Sequence, residues 1–341
     1  MTAPRMHADE VDIRLDDVRR ALDAQHPRFR DLPLAPLAGG GTINRVFRLG
    51  DELVVRVPLI EWGAADAERE SRILPHLHGA LPLRTPELVA LGRPAPGLPW
   101  AWNVLDWIPG RSLSAHLGSG AEPARSSTGP ARDAAADERR GGELGAALAA
   151  LHALPVDDAQ RHGDEGASSG IPLSTSGGDP VAERDTMLAG LRSAAGLIDV
   201  AAAVDRLKRD LAHPLTPEFG VAGTTGVSGS PRRPLVWTHA DPLPGNILVG
   251  DAGGPITAVI DWSGGGLGDP THDLVAGWWT LGPAGRRAFR AALDPSDDDW
   301  HLARLRAWRK AAAAVGYYAG TSPIFTADAR RAIEHLVADA D

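Results

Sequence analysis

The stretch that most constrains this chain runs from Val236 to Asp261. It reads Val-Trp-Thr-His239-Ala-Asp241-Pro-Leu-Pro-Gly-Asn246-Ile-Leu-Val249, a Gly-Asp-Ala-Gly-Gly-Pro turn, then Ile256-Thr-Ala-Val-Ile-Asp261. Two short β-rich runs, Asn246 to Val249 and Ile256 to Ile260, flank a turn rich in the Gly and Asp that hairpins use, which predicts a β-hairpin. His239, Asp241 and Asn246 cluster around its entrance, and Asp261 closes its second strand.

Asp, Asn and Gly are ordinary turn formers, so none of these residues points to chemistry alone. Their spacing does. The chain holds three Asn, at 44, 103 and 246, so a chance His-x-Asp-x4-Asn match is on the order of one in a hundred. That pattern, followed by an Asp ending the next apolar strand, matches the catalytic loop and metal-binding Asp of kinase-type phosphoryl transfer. A hydroxyl attacking the last phosphate of a nucleotide needs a carboxylate to orient it and take its proton, which makes Asp241 the candidate catalytic residue. Magnesium takes hard oxygen ligands, one or two from protein and the rest from phosphates and water, and Asn246 and Asp261 can supply them. His239 reads as a brace for the loop.

The same stretch, continued through Ile260-Asp-Trp-Ser-Gly-Gly-Gly-Leu-Gly-Asp269-Pro-Thr-His-Asp273-Leu, resembles the aminoglycoside phosphotransferase family of antibiotic kinases, which also contains macrolide and metabolite kinases. The resemblance implies an α+β, bilobal protein-kinase-like fold. A small antiparallel-sheet N-lobe, residues 1–108, would bind the nucleotide. A larger, mainly helical C-lobe, residues 109–341, would carry catalysis and the acceptor. It also implies Asp241 as the catalytic Asp and Asn246 and Asp261 as the magnesium ligands. Two departures stand out: His-Ala-Asp where the family commonly reads His-Gly-Asp, and Leu-Pro-Gly-Asn where it has His-Pro-Gly-Asn. Ala240 adds only a methyl, and activity is expected to survive it. Gly264 to Gly268 is expected as a flexible turn that ends in a helix start; Asp269 and Asp273 match a recurring Gly-Asp-Pro-x-x-Asp-Leu and read as structural braces, with Asp269 a helix N-cap and Pro270 in the first turn.

Upstream, Val11 to Ala24 has helical apolar spacing. Gly39-Gly40-Gly41-Thr42-Ile-Asn44 then precedes two β-rich runs around a Gly-Asp-Glu turn. Glycines let backbone amides approach an anion without a side chain in the way. By resemblance this loop covers the nucleotide, with Gly40, Gly41, Thr42 and Asn44 near phosphate. Arg56 stands on the strand where kinases carry a phosphate-gripping Lys. It keeps the charge but is longer and planar. Glu70, on a helix expected over Glu61 to His78, is placed like that cation's partner, with Glu68 the alternative. Strands within Glu87–Gly92 and Pro99–Gly110 follow, the second running into an interlobe connector, and the resemblance puts the nucleotide base against the backbone of Asp106 and Ile108.

The 341-residue length suits two domains or one two-lobed unit, and 43% hydrophobic with 23% charged residues describes a globular chain. Net charge is −9, which argues against a nucleic-acid partner and is compatible with a cationic small substrate. Without cysteine there is neither a disulfide framework nor a thiolate metal site. The amino terminus lacks an apolar signal core and no run approaches the ~18 apolar residues of a membrane span, so no membrane partner and a cytoplasmic location are expected. Stretches 118–142, 163–180 and 220–234, rich in Gly, Ser, Pro and Ala, are expected as exposed loops. Helices are expected over Glu143–Leu154, Val181–Ala212, Asp273–Thr280, Ala284–Leu293, Trp300–Gly320 and Ala327–Ala338, with His152 a catalytic or, more simply, a structural histidine. Asp294 and Asp297 to Asp299 suit an ammonium substrate or, more simply, a helix N-terminus. Trp278, Trp279, Tyr317 and Tyr318 suit a lipophilic pocket or the core. The expected activity is magnesium-dependent transfer from ATP or GTP to a hydroxyl of a small molecule, an aminoglycoside or macrolide antibiotic first. Its rivals are a kinase of a small metabolite and a catalytically silent nucleotide-binding protein.

Overall fold

The computed structural model describes residues 6–37, 43–118, 130–156, 171–174, 178–213 and 235–339. These fall into two compact units. The first comprises Met1–Ala80, Arg84–Pro109 and the short segment Ile260–Ser263; the second comprises Leu81–Leu83, Gly110–Val259 and Gly264–Asp341.

The first unit is built on an antiparallel sheet. Its strands are β1 (Leu34–Pro36), β2 (Asn44–Leu49), β3 (Leu53–Pro58), β4 (Leu88–Gly92) and β5 (Trp102–Asp106), in the order β1-β2-β3-β5-β4. The β-branched and aromatic residues that predicted these strands supply its core. Phe47, Leu49, Val55, Val57, Trp102 and Val104 pack with Ile13 and with Val18 and Leu22 from helix α1 (Leu15–Gln25). That helix starts four residues later than the apolar spacing suggests because Val11 is drawn to the sheet, its N–H donating to Leu59 O at 2.8 Å. The next expected helix divides in the same way. Glu61–Gly63 form a single 3-10 turn, and α2 proper spans Asp66–Leu77, since Gly63 is a poor helix former.

In the second unit, β6 (Arg111–Ser112), β8 (Ile247–Val249) and β9 (Ile256–Val259) form one small sheet, while β7 (Val236–Thr238) pairs with β10 (Gly266–Gly268) in another. The predicted hairpin is therefore present as β8–β9, with Asn246 in a 3-10 turn just before it. Residues 266–268, expected as part of a flexible glycine turn, are instead a strand. A Cβ on Gly266 would lie 2.2 Å from Pro172 O, so glycine lets this strand pass another backbone at close range.

The helices are α3 (Leu113–Gly118), α4 (Pro130–His152), α5 (Arg184–Ser193), α6 (Val200–Ala212), α7 (Ala276–Trp279), α8 (Pro283–Leu293), α9 (Asp297–Tyr317) and α10 (Pro323–Ala338). The expected loop over 118–142 is corrected for its second half: α4 begins at Pro130. The run Ala-Arg-Asp-Ala-Ala-Ala-Asp-Glu-Arg-Arg has high helix propensity, and it outweighs the glycines that follow. Gly141 is kept for packing, since a Cβ there would sit 2.0 Å from Gly285 O on α8. Asp137 completes the joint by accepting from the N–H of Gly282 at 2.8 Å and of Gly285 at 2.7 Å. The remaining loop expectations at 118–129, 163–180 and 220–234 fall largely outside the described residues. Trp278, Trp279, Phe289 and Trp308 are fully buried and make the core of this unit. No helix among the described residues is long and apolar enough to cross a membrane.

Candidate active site

Within the first unit, charge collects around Arg56. This residue lies in the middle of β3, and its two terminal nitrogens go to different carboxylates: Nη1 to Glu70 Oε1 at 2.6 Å and Nη2 to Asp261 Oδ1 at 2.7 Å. Glu70 is almost wholly buried, so every lone pair needs a donor. Asn103 Nδ2 reaches its Oε2 at 2.7 Å, and the Trp262 N–H reaches Oε1 at 3.0 Å. Glu68 is exposed. Of the two acidic residues singled out on this helix, Glu70 is the one paired with Arg56. Ser263 Oγ donates to the Asp261 oxygen that also faces Arg56, at 2.7 Å.

Burial alone would lower the basicity of Arg56, but the fields of Asp261 and then Glu70 outweigh it and hold the guanidinium charged above the usual arginine range. A third carboxylate stands close by. Asp66 begins α2, one helical turn before Glu70 and on the same face. Burial first, then the charge of Asp261, push it up to about 7. Its Oδ2 is buried with no hydrogen-bond partner. Three carboxylates thus surround one guanidinium, an excess of negative charge that suits a divalent cation. Among the described residues there is no ready-made group of three or more acidic or histidine ligands. Asp261 also holds φ at +64°, a left-handed conformation that Asp tolerates better than most residues and that costs about 1 kcal/mol or more.

The other expected nucleotide residues of this unit are placed unevenly. Gly40, Gly41 and Thr42 lie outside the described residues. Asn44 is buried at the start of β2, opposite Pro58. The Asp106 carboxylate accepts from the Glu87 N–H at 2.7 Å and from Arg84, and the Asp106 N–H donates to Glu87 O at 3.1 Å. Its side chain therefore serves to fix the entry to β4. Ile108 is buried just beyond the end of β5.

Within the second unit, the organising residue is Asp241. The chain leaves β7 through buried Thr238 and His239, and Ala240 then takes φ +68°. That angle is one that glycine adopts without strain. The alanine here accepts a left-handed backbone that turns Asp241 out of the strand direction. Asp273 is the clamp. Fully buried, it accepts from the Ala240 N–H at 2.6 Å and the His239 N–H at 3.1 Å, and hydrogen-bonds His152 Nε2 at 2.9 Å. His239 Nδ1 accepts from the Asp241 N–H at 3.2 Å, so it braces the loop as expected. Thr280 Oγ1 holds Pro242 O at 2.8 Å from the aromatic core side. Asp269 caps the turn at Pro270–Val275 through the Thr271 N–H at 2.9 Å and is tied to Arg306 at 3.0 Å.

The Asp241 carboxylate is left half-exposed and is gripped at both ends. Asn246 Nδ2 donates to Oδ2 at 3.0 Å and to the Asp241 backbone O at 2.9 Å. The ammonium of Lys310, from α9, pairs with Oδ1. Asn246 is thereby oriented by Asp241, with its amide oxygen on the other side. Sequence reasoning missed Lys310 and Asp66. For Asp66 the signal was its helical spacing from Glu70. For Lys310 it was rarity, because the chain has two lysines, Lys208 and Lys310, against thirty-three arginines. The acidic run at Asp297–Asp299 forms the first turn of α9 behind the Ser296 cap, the simpler of the two expectations. Trp278 and Trp279 are core, whereas Tyr317 is exposed and packs edge-on against Tyr318 at 4.8 Å.

With this geometry in hand, comparison with known proteins is direct. A family model described as the phosphotransferase enzyme family matches residues 34–308. Among solved structures, the GDP complex of wild-type aminoglycoside 2'-phosphotransferase-IIIa is 18% identical, covers 95% of this chain and 98% of that one, and superposes with a TM-score of 0.60. Macrolide 2'-phosphotransferase type I is 20% identical over 93% of this chain and 97% of that one, TM-score 0.53. Macrolide 2'-phosphotransferase MphH from Brachybacterium faecium, as apoenzyme, is 23% identical over 92% and 97%, TM-score 0.51. No curated protein matches the chain by sequence. At these identities the likeness establishes the fold. It is the α+β, protein-kinase-like fold expected from the sequence, with an antiparallel sheet in the first unit and a mainly helical second unit.

Proposed function

We infer the reaction from one premise: the chain belongs to the phosphotransferase enzyme family. The reaction proposed is transfer of the terminal phosphate of ATP or GTP to a hydroxyl of a small molecule, an aminoglycoside or macrolide antibiotic. The observation that carries it is the Asp241 carboxylate, fixed from both oxygens on a loop that Asp273 locks from behind. A carboxylate immobilised in this way is suited to orienting a hydroxyl, where most of the advantage in phosphoryl transfer comes from positioning and charge. The acceptor oxygen bonds to the terminal phosphorus as the bond from that phosphorus to the bridging oxygen breaks. The hydroxyl proton passes to Asp241 and the nucleoside diphosphate leaves.

In this reading Arg56 grips the donor's phosphates, with Glu70 holding it in place, and Gly40, Gly41, Thr42 and Asn44 cover them. The backbone of Asp106 and Ile108 meets the base. Asn246 and Asp261 are the proposed magnesium ligands, and the ion, when bound, would neutralise phosphate charge. The negative excess around Asp66, Glu70 and Asp261 supports its presence. The structural neighbours include aminoglycoside and macrolide phosphotransferases, which favours an antibiotic acceptor.

The test is a panel of aminoglycosides, macrolides, sugars and amino alcohols. Each is incubated with magnesium and either ATP or GTP, and weighed for one added phosphate. A phosphorylated antibiotic is the expected result, lost in Asp241→Ala while nucleotide affinity is kept. Phosphate on a sugar or amino alcohol alone would make this a metabolite kinase. Tight nucleotide binding with no acceptor modified would make it catalytically silent.

A further inference from the structure

The residue whose part in the phosphotransferase reading can be taken further is Lys310. It is one of two lysines in a chain that meets its other thirty-three basic positions with arginine, including Arg56, where kinases carry lysine. On α9 it lies one turn after Arg306, and the two project from the same face. Arg306 holds Asp269 at 3.0 Å, and Lys310 pairs with Asp241 Oδ1. Their settings differ. Arg306 and Asp269 are each 4% exposed and act as a fixed strut, whereas the Lys310 and Asp241 side chains are 33% and 37% exposed. Solvent, and so a ligand, can reach the second pair.

Exposed ion pairs add little to stability, typically well under ~1 kcal/mol, so folding is a poor reason for this one. Position is a better one. Asn246 holds Oδ2 and the backbone O of Asp241, but one amide donor leaves the carboxylate free to rotate about its own axis. A second donor on Oδ1 removes that freedom. An ammonium is compact and carries three donors. It can hold Oδ1 by one lone pair and leave the other to a hydroxyl, where a planar guanidinium would tend to cover both oxygens. The neighbouring His272 is kept neutral by burial and by Arg306, so it does not compete for the carboxylate as a second cation.

We propose that Lys310 is a positioning residue for phosphoryl transfer, acting through Asp241: it fixes the carboxylate in the orientation that receives the acceptor hydroxyl. This rests on the phosphotransferase reading above, and its test separates the two. In the full-length chain, Lys310→Met keeps the length of the side chain and removes the charge. Turnover with magnesium and ATP or GTP is measured on the acceptor found in the panel, and on water otherwise. The expected result is a fall in kcat of about tenfold or more with nucleotide KM within about twofold, consistent with lost orientation rather than lost binding. Lys310→Arg should recover part of the loss, and Lys208→Met, at an exposed position on α6, should change nothing. In an Asp241→Asn background Lys310→Met should add less than about twofold, since the two residues act as one unit.

A second measurement does not depend on activity. With lysine labelled at the ε-carbon and ζ-nitrogen, the chain gives two side-chain signals. Asp241→Asn should move that of Lys310 and leave that of Lys208 in place. The proposal is overturned if Lys310→Met keeps kcat within about twofold of wild type, if its effect is undiminished by Asp241→Asn, or if the Lys310 signal ignores that substitution. A wild type inert on every acceptor and on water would instead remove the phosphotransferase reading itself, and with it the role of Lys310.

Discussion

Arg56 gives the most quantitative handle on the first unit. Its side chain is 12% exposed and divides its two nitrogens between Glu70, 1% exposed, and Asp261, 25% exposed. Consider Arg56→Met. The loss at the Asp261 side is small, because that carboxylate can turn to solvent and keeps Ser263. The loss at Glu70 is large. Its carboxylate keeps only the neutral donors Asn103 Nδ2 and the Trp262 N–H in a site closed to water. Breaking a buried pair by removing one partner costs about 3–5 kcal/mol, nearly all of it the penalty of the charge left behind. That origin makes the prediction sharp, because a second substitution that removes the charge should return most of the loss. Urea unfolding at pH 7 should place Arg56→Met about 3 kcal/mol or more below wild type. Arg56→Met with Glu70→Gln should lie within about 1.5 kcal/mol of wild type, a coupling of the sign expected for contacting residues. Arg56→Lys should fall between the two, since one ammonium keeps the charge but cannot span both carboxylates. If Arg56→Met loses less than about 1 kcal/mol, or the double variant is as unstable as the sum of its parts, the guanidinium is not what holds Glu70.

Three further outcomes follow from named contacts. Ala240→Gly relieves a left-handed backbone at φ +68°; the relief of about 1–2 kcal/mol outweighs the extra unfolded-state freedom of glycine by about 0.5 kcal/mol, read as a higher melting temperature with kcat unchanged. Gly141→Ala sets helix propensity, worth about 1 kcal/mol, against a methyl 2.0 Å from Gly285 O. Overpacking wins there, and a net loss of about 1–2 kcal/mol is expected in urea unfolding. Burial, then Arg306, hold His272 down to about 3 from an ordinary 6.5. It is neutral when folded and takes a proton when unfolded below 6.5, so the stability it contributes is present above that pH and is lost as pH falls towards 3. His272→Gln should flatten the acid limb of stability against pH by up to about 2 kcal/mol between pH 6.5 and 4.5, while His26, His116, His301 and His335, also lowered chiefly by burial, keep part of the slope.

Much of this is legible in the sequence. The hairpin, the strands flanking Arg56, the Asp269 cap and the bracing role of His239 follow from turn chemistry, β-branched runs and spacing, all of which act within a few residues, whereas the brace at Asp273, 33 residues from Ala240, was implied by the family resemblance alone. The misreadings came where two local signals competed. Residues 130–142 carry glycines and proline that suggest a loop, yet an alanine-rich run between them prefers helix, and Gly141 is present for its small size against Gly285. The glycines at 266–268 resemble a turn for the same reason, although their smallness serves a strand that runs close to Pro172. Composition records that a residue is small. It does not record whether that is for turning or for packing.

The charged partners mark a different boundary. Glu70 was preferred to Glu68 by analogy, and what separates them physically is burial, which depends on Asn103 and Trp262, 33 and 192 residues away. Lys310 lies 69 residues beyond Asp241, with two helices between them. No periodicity links such positions, because nothing in the intervening chain has to repeat for them to meet. What survives in the sequence is anomaly: an alanine where a left-handed turn calls for glycine, an arginine where a lysine is usual, and a lysine in a chain that otherwise uses arginine. All three fall within one residue of Asp241 or pair directly with Asp241 or Asp261. A departure from a chain's own habits is thus a guide to its chemistry where spacing gives none, since at these positions neither propensity nor solubility decides the residue and the geometry of a carboxylate does.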